Sequence, residues 1–543
     1  MLPHLRPQWA SVEVFFRVRN PLAAIPMALP FFVVVAAAAV VLRLLWSIVT
    51  SIQHARRARQ LGCGPTLLYP SDPLGISTLK ESLKADKEKD IPMYTQRRVD
   101  FMSDRENRYV STFRVRTMGR ENLFTCDPKN IQALLATQFK DFDLGAIRQH
   151  SLNDLLGTGI FTADGEDWTR SRALLRPQFT RDQISDLDLE ERHVQNAMQA
   201  LPVAADGWSG QIDIQTIFFR LTMDSATEFL FGESVDSQLA ALKGDKSAAE
   251  FPFYFDRSQW YAAQRVRFEK LHWIVNNKES RHSDKQVHSF VDRFVDAALK
   301  GVQDEKTKKD EEKPSNYVFL HGLAAVTQDP IELRSQLLNI LLAGRDTTAS
   351  LLSWTVLLLA RHPEVFQKLR KIIVEEFGTY ENPQNITFAS LKSCQYLQHC
   401  MNEVLRLYPV VPMNRRTAVR DTTLPLGGGP DGSQPVYVTK GQAVMYNVHI
   451  LHRRKDLWGP DADSFIPERW VNRKVTWDYL PFNGGPRICI GQQFALTEAG
   501  YVLVRLLQRF DGIEDVHPEQ KIRHGLTLTS CPADLVTVRL HAA

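Results

Sequence analysis

A lone cysteine among glycines carries the strongest chemical pattern in the chain: Phe482-Asn483-Gly484-Gly485-Pro486-Arg487-Ile488-Cys489-Ile490-Gly491, directly ahead of a helical stretch. Backbone N–H groups and the dipole at a helix N-terminus favour a thiolate, which suits a metal ligand or a nucleophile. Glycines let the backbone approach something flat and close. A buried structural cysteine is the competing reading. Glu403 and Arg406 stand at i, i+3, on one helix face, as an ion pair. Ala343-Gly344-Arg345-Asp346-Thr347-Thr348 mixes small, acidic and hydroxyl residues inside a helical pattern. Such residues are poor helix choices, so either another constraint selects them or the turn is polar and exposed. Trp168 and Arg172 lie four apart. Indole N–H and guanidinium are both donors, with an anionic carboxylate as a shared target, although the same pair on a surface helix would need no function. Cys394, His399 and Cys400 have no zinc spacing and read as core and surface residues.

Helices must position these groups. Pro330 to Arg361 is a long helical pattern without internal proline, and Pro363 to Phe377 is another with proline in its first turn. Gly491 to Phe510 places Phe494, Leu496, Val502, Leu503, Leu506 and Leu507 on roughly one side. Val436–Tyr446 and Leu526–Leu540, rich in β-branched residues, are strand candidates. The charged run Asp304–Lys313 reads as a solvated loop.

The chain has 543 residues, 44% of them hydrophobic, and a net charge of +4 from 66 basic and 62 acidic side chains. That composition excludes disorder and collagen, and so small a net charge gives no basic field for nucleic acid. Six scattered cysteines indicate a reducing compartment. No charged residue lies between Asn20 and Arg43, and Phe31–Leu42 is wholly apolar. Pro26 and Pro30 break helical bonding, so the expected helix is Pro30–Val49, about 30 Å long and matched to a bilayer core. Arg43 must then snorkel to the interface. Arg56, Arg57 and Arg59 follow the span, whereas Arg6, Arg17 and Arg19 before it are offset by Glu13, so the positive-inside bias favours a cytoplasmic body. A signal peptide cleaved near Ala36–Ala39 is the alternative. Gly62, Gly64 and Pro65 read as a hinge, giving an anchor with basic flank at 1–60 and a body at 61–543.

The cysteine loop resembles the haem-binding loop of the cytochromes P450, whose F-x-x-G-x-R-x-C-x-G is met by Phe482, Gly485, Arg487, Cys489 and Gly491. The resemblance implies a mainly α fold, a helix-rich prism with small β-sheets, behind one transmembrane helix. The haem would lie between the long central helix and the helix after the cysteine. It implies Cys489 as axial ligand of haem b, with Phe482 and Gly491 in the haem loop. Trp168, Arg172, Arg416 and Arg487 would serve its propionates, and Glu403, Arg406 and Arg469 would form a buried lock. The segment around Gly344 is similar to the family's oxygen-activation turn, widened for dioxygen, with Asp346 and Thr347 delivering protons.

The implied reaction is R–H + O2 + NADPH + H⁺ → R–OH + H2O + NADP⁺. No flavin- or nicotinamide-binding segment is evident, so electrons would come from a separate NADPH-cytochrome P450 reductase, with cytochrome b5 as a further donor, at the endoplasmic reticulum membrane. Leu426–Gly432, His452–Asp456 and Gly491–Ala499 resemble fungal alkane and fatty-acid hydroxylases, which oxidise the terminal carbon of long chains. Animal fatty-acid hydroxylases often carry a haem-esterifying glutamate where Ala343 stands, so restraint here falls to pocket shape, with Leu342, Ala343, Val410, Val411, Met413 and Leu528 as lining candidates. Arg148, in a segment similar to the family's loop over the substrate entrance, could meet a carboxylate or be a surface arginine. Three alternatives stay open: tailoring of a fungal secondary metabolite, a reductase-independent isomerase or dehydratase, and a non-catalytic haem-binding scaffold. Intact Asp346 and Thr347 weigh against the second.

Overall fold

A computed structural model describes residues 28–180, 187–245, 247–307 and 318–543, and the chain divides into two compact units, Met1–Gly62 and Cys63–Ala543. In the first unit one helix spans Ala28–Gln60, with its side chains from Val33 to Val49 exposed. Its 33 residues reach about 50 Å, longer than a bilayer core of about 30 Å. The helix thus overruns the expected end at Val49 and carries Arg56, Arg57 and Arg59 on its last turns. Helical bonding stops at the next glycine, Gly62, at φ +67°. Gly64 is no hinge: its N–H bonds the Pro435 carbonyl, and a Cβ there would lie 2.2 Å from the Gly429 nitrogen.

The larger unit is built around the helix Pro330–Arg361. Asp329 caps it by accepting from the N–H groups of Ile331 and Glu332, and Pro330 occupies the first turn, where no N–H is needed. From Ser335 to Leu359 every residue is buried except Ala343, Gly344 and Thr347. A helix apolar on all sides belongs at the centre of a large fold. Helices Ile214–Phe231, Lys278–Thr307, Gln395–Leu407 and Gln492–Arg509 pack around it. Its first half, Leu333–Leu342, belongs to one hydrophobic cluster, and its second half, from Ala349 to Leu359, to another. Ala343–Thr348 falls at the seam between them and joins neither.

The strands are few and short. Thr112–Thr117, Arg120–Thr125, Ala443–Asn447, Met413–Ala418 and Phe142–Asp143 form one sheet in that spatial order, with the second and third strands parallel. The expected strand at Val436–Tyr446 resolves into two, Gln434–Val438 and Ala443–Asn447, in different sheets, separated by a turn with Gly441 at φ +81°. Likewise Leu526–Leu540 holds the ends of a small hairpin, His524–Leu526 with Ser530–Pro532, and then Thr537–Ala542 in a separate three-stranded sheet. Both segments have the right composition, but their turns interrupt the ladder. The charged run at 304–313 lies mostly outside the described residues.

Candidate active site

The cysteine loop is held by backbone contacts before any side chain acts. The Cys489 N–H donates to the Phe482 carbonyl at 3.0 Å, closing the loop. Gly485, at φ +67°, approaches so closely that a Cβ would stand 1.8 Å from the Leu135 carbonyl oxygen. Leu135 belongs to a π-helical turn, Ala133–Thr137, so this glycine serves packing between two protein segments. Gly491 faces no such limit, since a Cβ there would meet only a Phe179 ring carbon at 3.6 Å.

Cys489 has exposed surface, yet enough protein surrounds it that desolvation pushes its thiol up. The Gly491 N–H and the Arg172 guanidinium pull the other way and are outweighed. For the protein's own groups, burial thus costs the charged form more than one N–H donor and one nearby cation return. Cys394 and Cys400 are both fully buried in the core.

Behind the loop lies a saturated ion-pair centre. Arg406 and Glu403 are both 0% exposed and meet in two parallel bonds of 2.8 Å. The remaining Arg406 donors go to the carbonyls of His452, Ala462 and Ser464, so all five N–H groups of the guanidinium are used. Arg469 joins Glu403 at 3.4 Å, and the Trp470 indole and the Ile466 N–H each donate to the same carboxylate at 3.0 Å. Sequence reasoning found the three ionic members and missed Trp470 and Ile466, although both flank Arg469 closely in the chain.

On the central helix, Ala343, Gly344 and Thr347 share the one face that keeps accessible surface, at i, i+1 and i+4. The Thr347 hydroxyl donates to the Ala343 carbonyl at 2.6 Å, and helical assignment is continuous through this turn, without the break expected of a widened one. Asp346 lies elsewhere. Adjacent helix residues point about 100° apart, and Asp346 is buried beside Arg345, whose Nη1 stands 3.2 Å from it. Arg345 reaches on to Asp256 of helix Glu250–Phe268. Burial raises the Asp346 carboxyl to about 6 despite that cation. The two expected relay residues therefore part company: Thr347 is on the accessible face and Asp346 behind it. An exposed polar turn is excluded, since Asp346 is only 4% exposed.

A cluster of arginines completes the site. Arg416, 2% exposed, lies over the Tyr446 ring and donates to the Arg415 carbonyl, and its Nε has no partner. Among the described residues no carboxylate forms an ion pair with it. Arg148 donates to the Phe161 carbonyl and the Asn414 side chain, and burial together with the charge of Arg416 pushes it down to about 10. It is no surface arginine; its depth comes from strand Met413–Ala418, which its own segment does not reveal. Arg487 pairs with Asp164 at 2.8 Å, stands 4.4 Å over the Trp168 ring, and is likewise pushed down to about 10 by burial. Arg172, 5.9 Å from the same ring, donates to the Ile488 carbonyl beside Cys489. The carboxylates nearby are Asp164, already paired, and Asp143, which burial shifts towards neutrality. Arg148 and Arg416, with no ion-pair partner among the described residues, and Arg487, with one, suit a ligand carrying carboxylates.

Of the pocket candidates, Leu342 and Val410 are 7% and 6% exposed and packed into the core, whereas Ala343, Val411, Met413 and Leu528 keep accessible surface. Phe482 packs against the core cluster that holds the ion-pair centre. A residue not anticipated is Glu498 on the helix after the loop, 3% exposed, accepting from Ser225 at 2.7 Å and raised to about 7 by burial. Its partner lies 273 residues earlier, so nothing local announces it.

The body is thus mainly α, with a cysteine loop feeding one helix, a fully used Glu/Arg centre and a small-residue face on a central helix. Residues 90–536 match the family described as Cytochrome P450, and the chain belongs to it. It is similar to cytochrome P450 monooxygenase g430 of a Fusarium species, 52% identical over 90% of this chain and 87% of that one. Cytochrome P450 monooxygenase alt2 of Alternaria solani is 45% identical over 90% and 93%, and cytochrome P450 52A12 of Debaryomyces hansenii 45% over 89% and 93%. The protein is thus a P450 monooxygenase, a haem-thiolate enzyme served by a redox partner and acting on a hydrophobic substrate.

Proposed function

We propose that this monooxygenase hydroxylates long aliphatic chains, fatty acids or alkanes, at or near the chain terminus. The observation that carries the reading is the accessible face of the central helix between Ser335 and Leu359, which offers only Ala343, Gly344 and Thr347 and no charged group. Val411, Met413 and Leu528 are likewise apolar and partly accessible, as the lining of a pocket for an unfunctionalised chain requires. The apolar helix Ala28–Gln60 accords with a substrate that partitions into membrane.

In this reading Cys489 would hold the haem iron as thiolate. Arg416 and Arg487, with Trp168 and Arg172 beside them, would take the propionates, a fit supported by the partnerless Nε of Arg416. Haem bound through a thiolate supplies the activation of dioxygen, the lever that such ligation adds to the cofactor's own chemistry. The chain's own part is positional. Thr347 presents a hydroxyl at the accessible face while handing its proton bond to Ala343, and Asp346, titrating near neutrality, connects through Arg345 and Asp256 towards solvent. Glu403, Arg406 and Arg469 keep the loop's foundation rigid. Residues 61–543 form the catalytic body and 1–60 the anchor, at the endoplasmic reticulum with the body cytoplasmic. Electrons come from NADPH through a separate flavoprotein reductase, with cytochrome b5 as a second donor.

The test is optical titration of the ferric holoenzyme with alkanes and fatty acids of graded length. A saturable low-to-high-spin shift that peaks at one length supports the aliphatic pocket. No shift with any length, from protein with an intact carbon-monoxide spectrum, moves the substrate to secondary metabolism.

A further inference from the structure

Helix Glu250–Phe268 ends on Glu269 at φ +49°, ψ −115°, a backbone region that a side-chain-bearing residue enters only when its surroundings impose it. Its side chain is ion-paired: Glu269 Oε1 lies 2.8 Å from Nη1 of Arg415, with the two side chains 19% and 17% exposed. Arg415 stands on strand Met413–Ala418 and, by strand alternation, on the same face as Met413, whereas Arg416 points to the other face with the haem-side arginines. Two residues before Glu269, Arg267 bonds Asp86 at 2.7 Å and the Leu526 carbonyl at 2.6 Å. Three residues after it, His272 stacks on His150 at 6.0 Å, and its Nδ1 is buried without a partner. The segment 267–272 is therefore strapped to four places at once: strand Met413–Ala418, the hairpin strand His524–Leu526, helix Ala146–Leu156 and helix Ile76–Lys87. The first two carry or adjoin the lining candidates Met413 and Leu528.

We infer that Arg415 is the receptor for the carboxylate of a fatty-acid substrate and that Glu269 occupies it as a stand-in until the acid displaces it. The inference rests on the long-chain reading and narrows it to acids. Glu269 and a fatty acid present the same functional group, so exchange leaves the guanidinium paired before and after and avoids stranding a largely buried charge. The unfavourable backbone at Glu269 is relieved when it lets go, which lowers the cost of the exchange. An alkane has nothing to offer Arg415 and must enter with the strap closed.

The experiment uses the ferric holoenzyme and three probes of equal chain length: dodecanoic acid, methyl dodecanoate and dodecane, each read by the Soret spin shift. Arg415→Gln is expected to weaken dodecanoic acid about tenfold to a hundredfold, the range for a charge-assisted hydrogen bond, and to leave ester and alkane within about twofold. Glu269→Gln, which removes the competitor and keeps the shape, is expected to tighten the acid alone. That opposite sign cannot come from a merely structural defect, and it keeps the assignment testable should Arg415→Gln fold poorly. Equal weakening of all three probes by Arg415→Gln, or no gain for the acid in Glu269→Gln, overturns the assignment. Absence of any response in the parent enzyme with an intact carbon-monoxide spectrum overturns the long-chain reading itself, and this assignment with it.

Discussion

Replacing Cys489 by serine keeps the loop closed through its backbone bond to Phe482 but removes the sulfur. The carbon-monoxide complex of Cys489→Ser is expected to lose the red-shifted Soret band of thiolate ligation, and persistence of that band would name another ligand. Thr347→Ala removes a hydroxyl whose one protein bond is to the Ala343 carbonyl, so folding should be little affected. Product per NADPH should fall several-fold while peroxide rises, with substrate binding unchanged; an unaltered ratio excludes Thr347 from proton delivery. The Glu403–Arg406 pair was legible in the sequence because i, i+3 spacing on a helix leaves opposite charges few other partners. Asp346 was legible in type but not in direction, since neighbours in a helix face different ways. Arg148 and Glu498 were not legible in place, because the groups that bury them come from Asn414 and Ser225, far away in the chain.

Helices were easier to read than strands. The central helix, Pro363–Phe377 and the helix after the cysteine loop follow from long apolar patterns and proline positions, with observed starts at Pro330, Pro363 and Gln492. The strand regions were placed correctly but not divided, because a turn at Gly441 changes the pairing partner without changing the composition. Contacts between elements were the least visible, and Gly485 shows why. A loop glycine reads as freedom, yet here it is a close approach to Leu135 of another element. Gly485→Ala should therefore misplace the cysteine loop and lower haem retention on gel filtration, whereas Gly491→Ala, with only a Phe179 contact at 3.6 Å, should cost less. Equal retention in the two variants would refute this ordering. At the Glu/Arg centre, Glu403→Gln leaves the fully used Arg406 without a counter-charge inside the core. A loss of about 3–5 kcal/mol is expected in denaturant unfolding, enough to empty most of a typical stability margin.

At the scale of the whole body, two buried acids contribute to stability against the usual pH trend. Burial raises Glu498 from 4.5 to about 7 and Asp346 from 3.8 to about 6. Between each unfolded value and the raised one the folded state holds the extra proton, so both groups make folding less favourable as pH rises through that window. Glu498→Gln, neutral at every pH, should match the parent near about pH 4.5 and exceed it by a few kcal/mol above about pH 7. Thermal unfolding of both proteins across that range checks the sign, and parallel curves would show that Glu498 keeps its charge out of the fold's energetics. The guanidiniums of Arg148 and Arg416, without an ion-pair partner among the described residues, act at the same scale and lead to a matter of supply. A polypeptide finished before its prosthetic group arrives holds that positive charge with little relief, opens more often, and offers itself to proteases each time. Cellular abundance of the enzyme would then follow the rate of porphyrin synthesis, so that in a haem-starved culture the protein itself disappears, and not merely its colour.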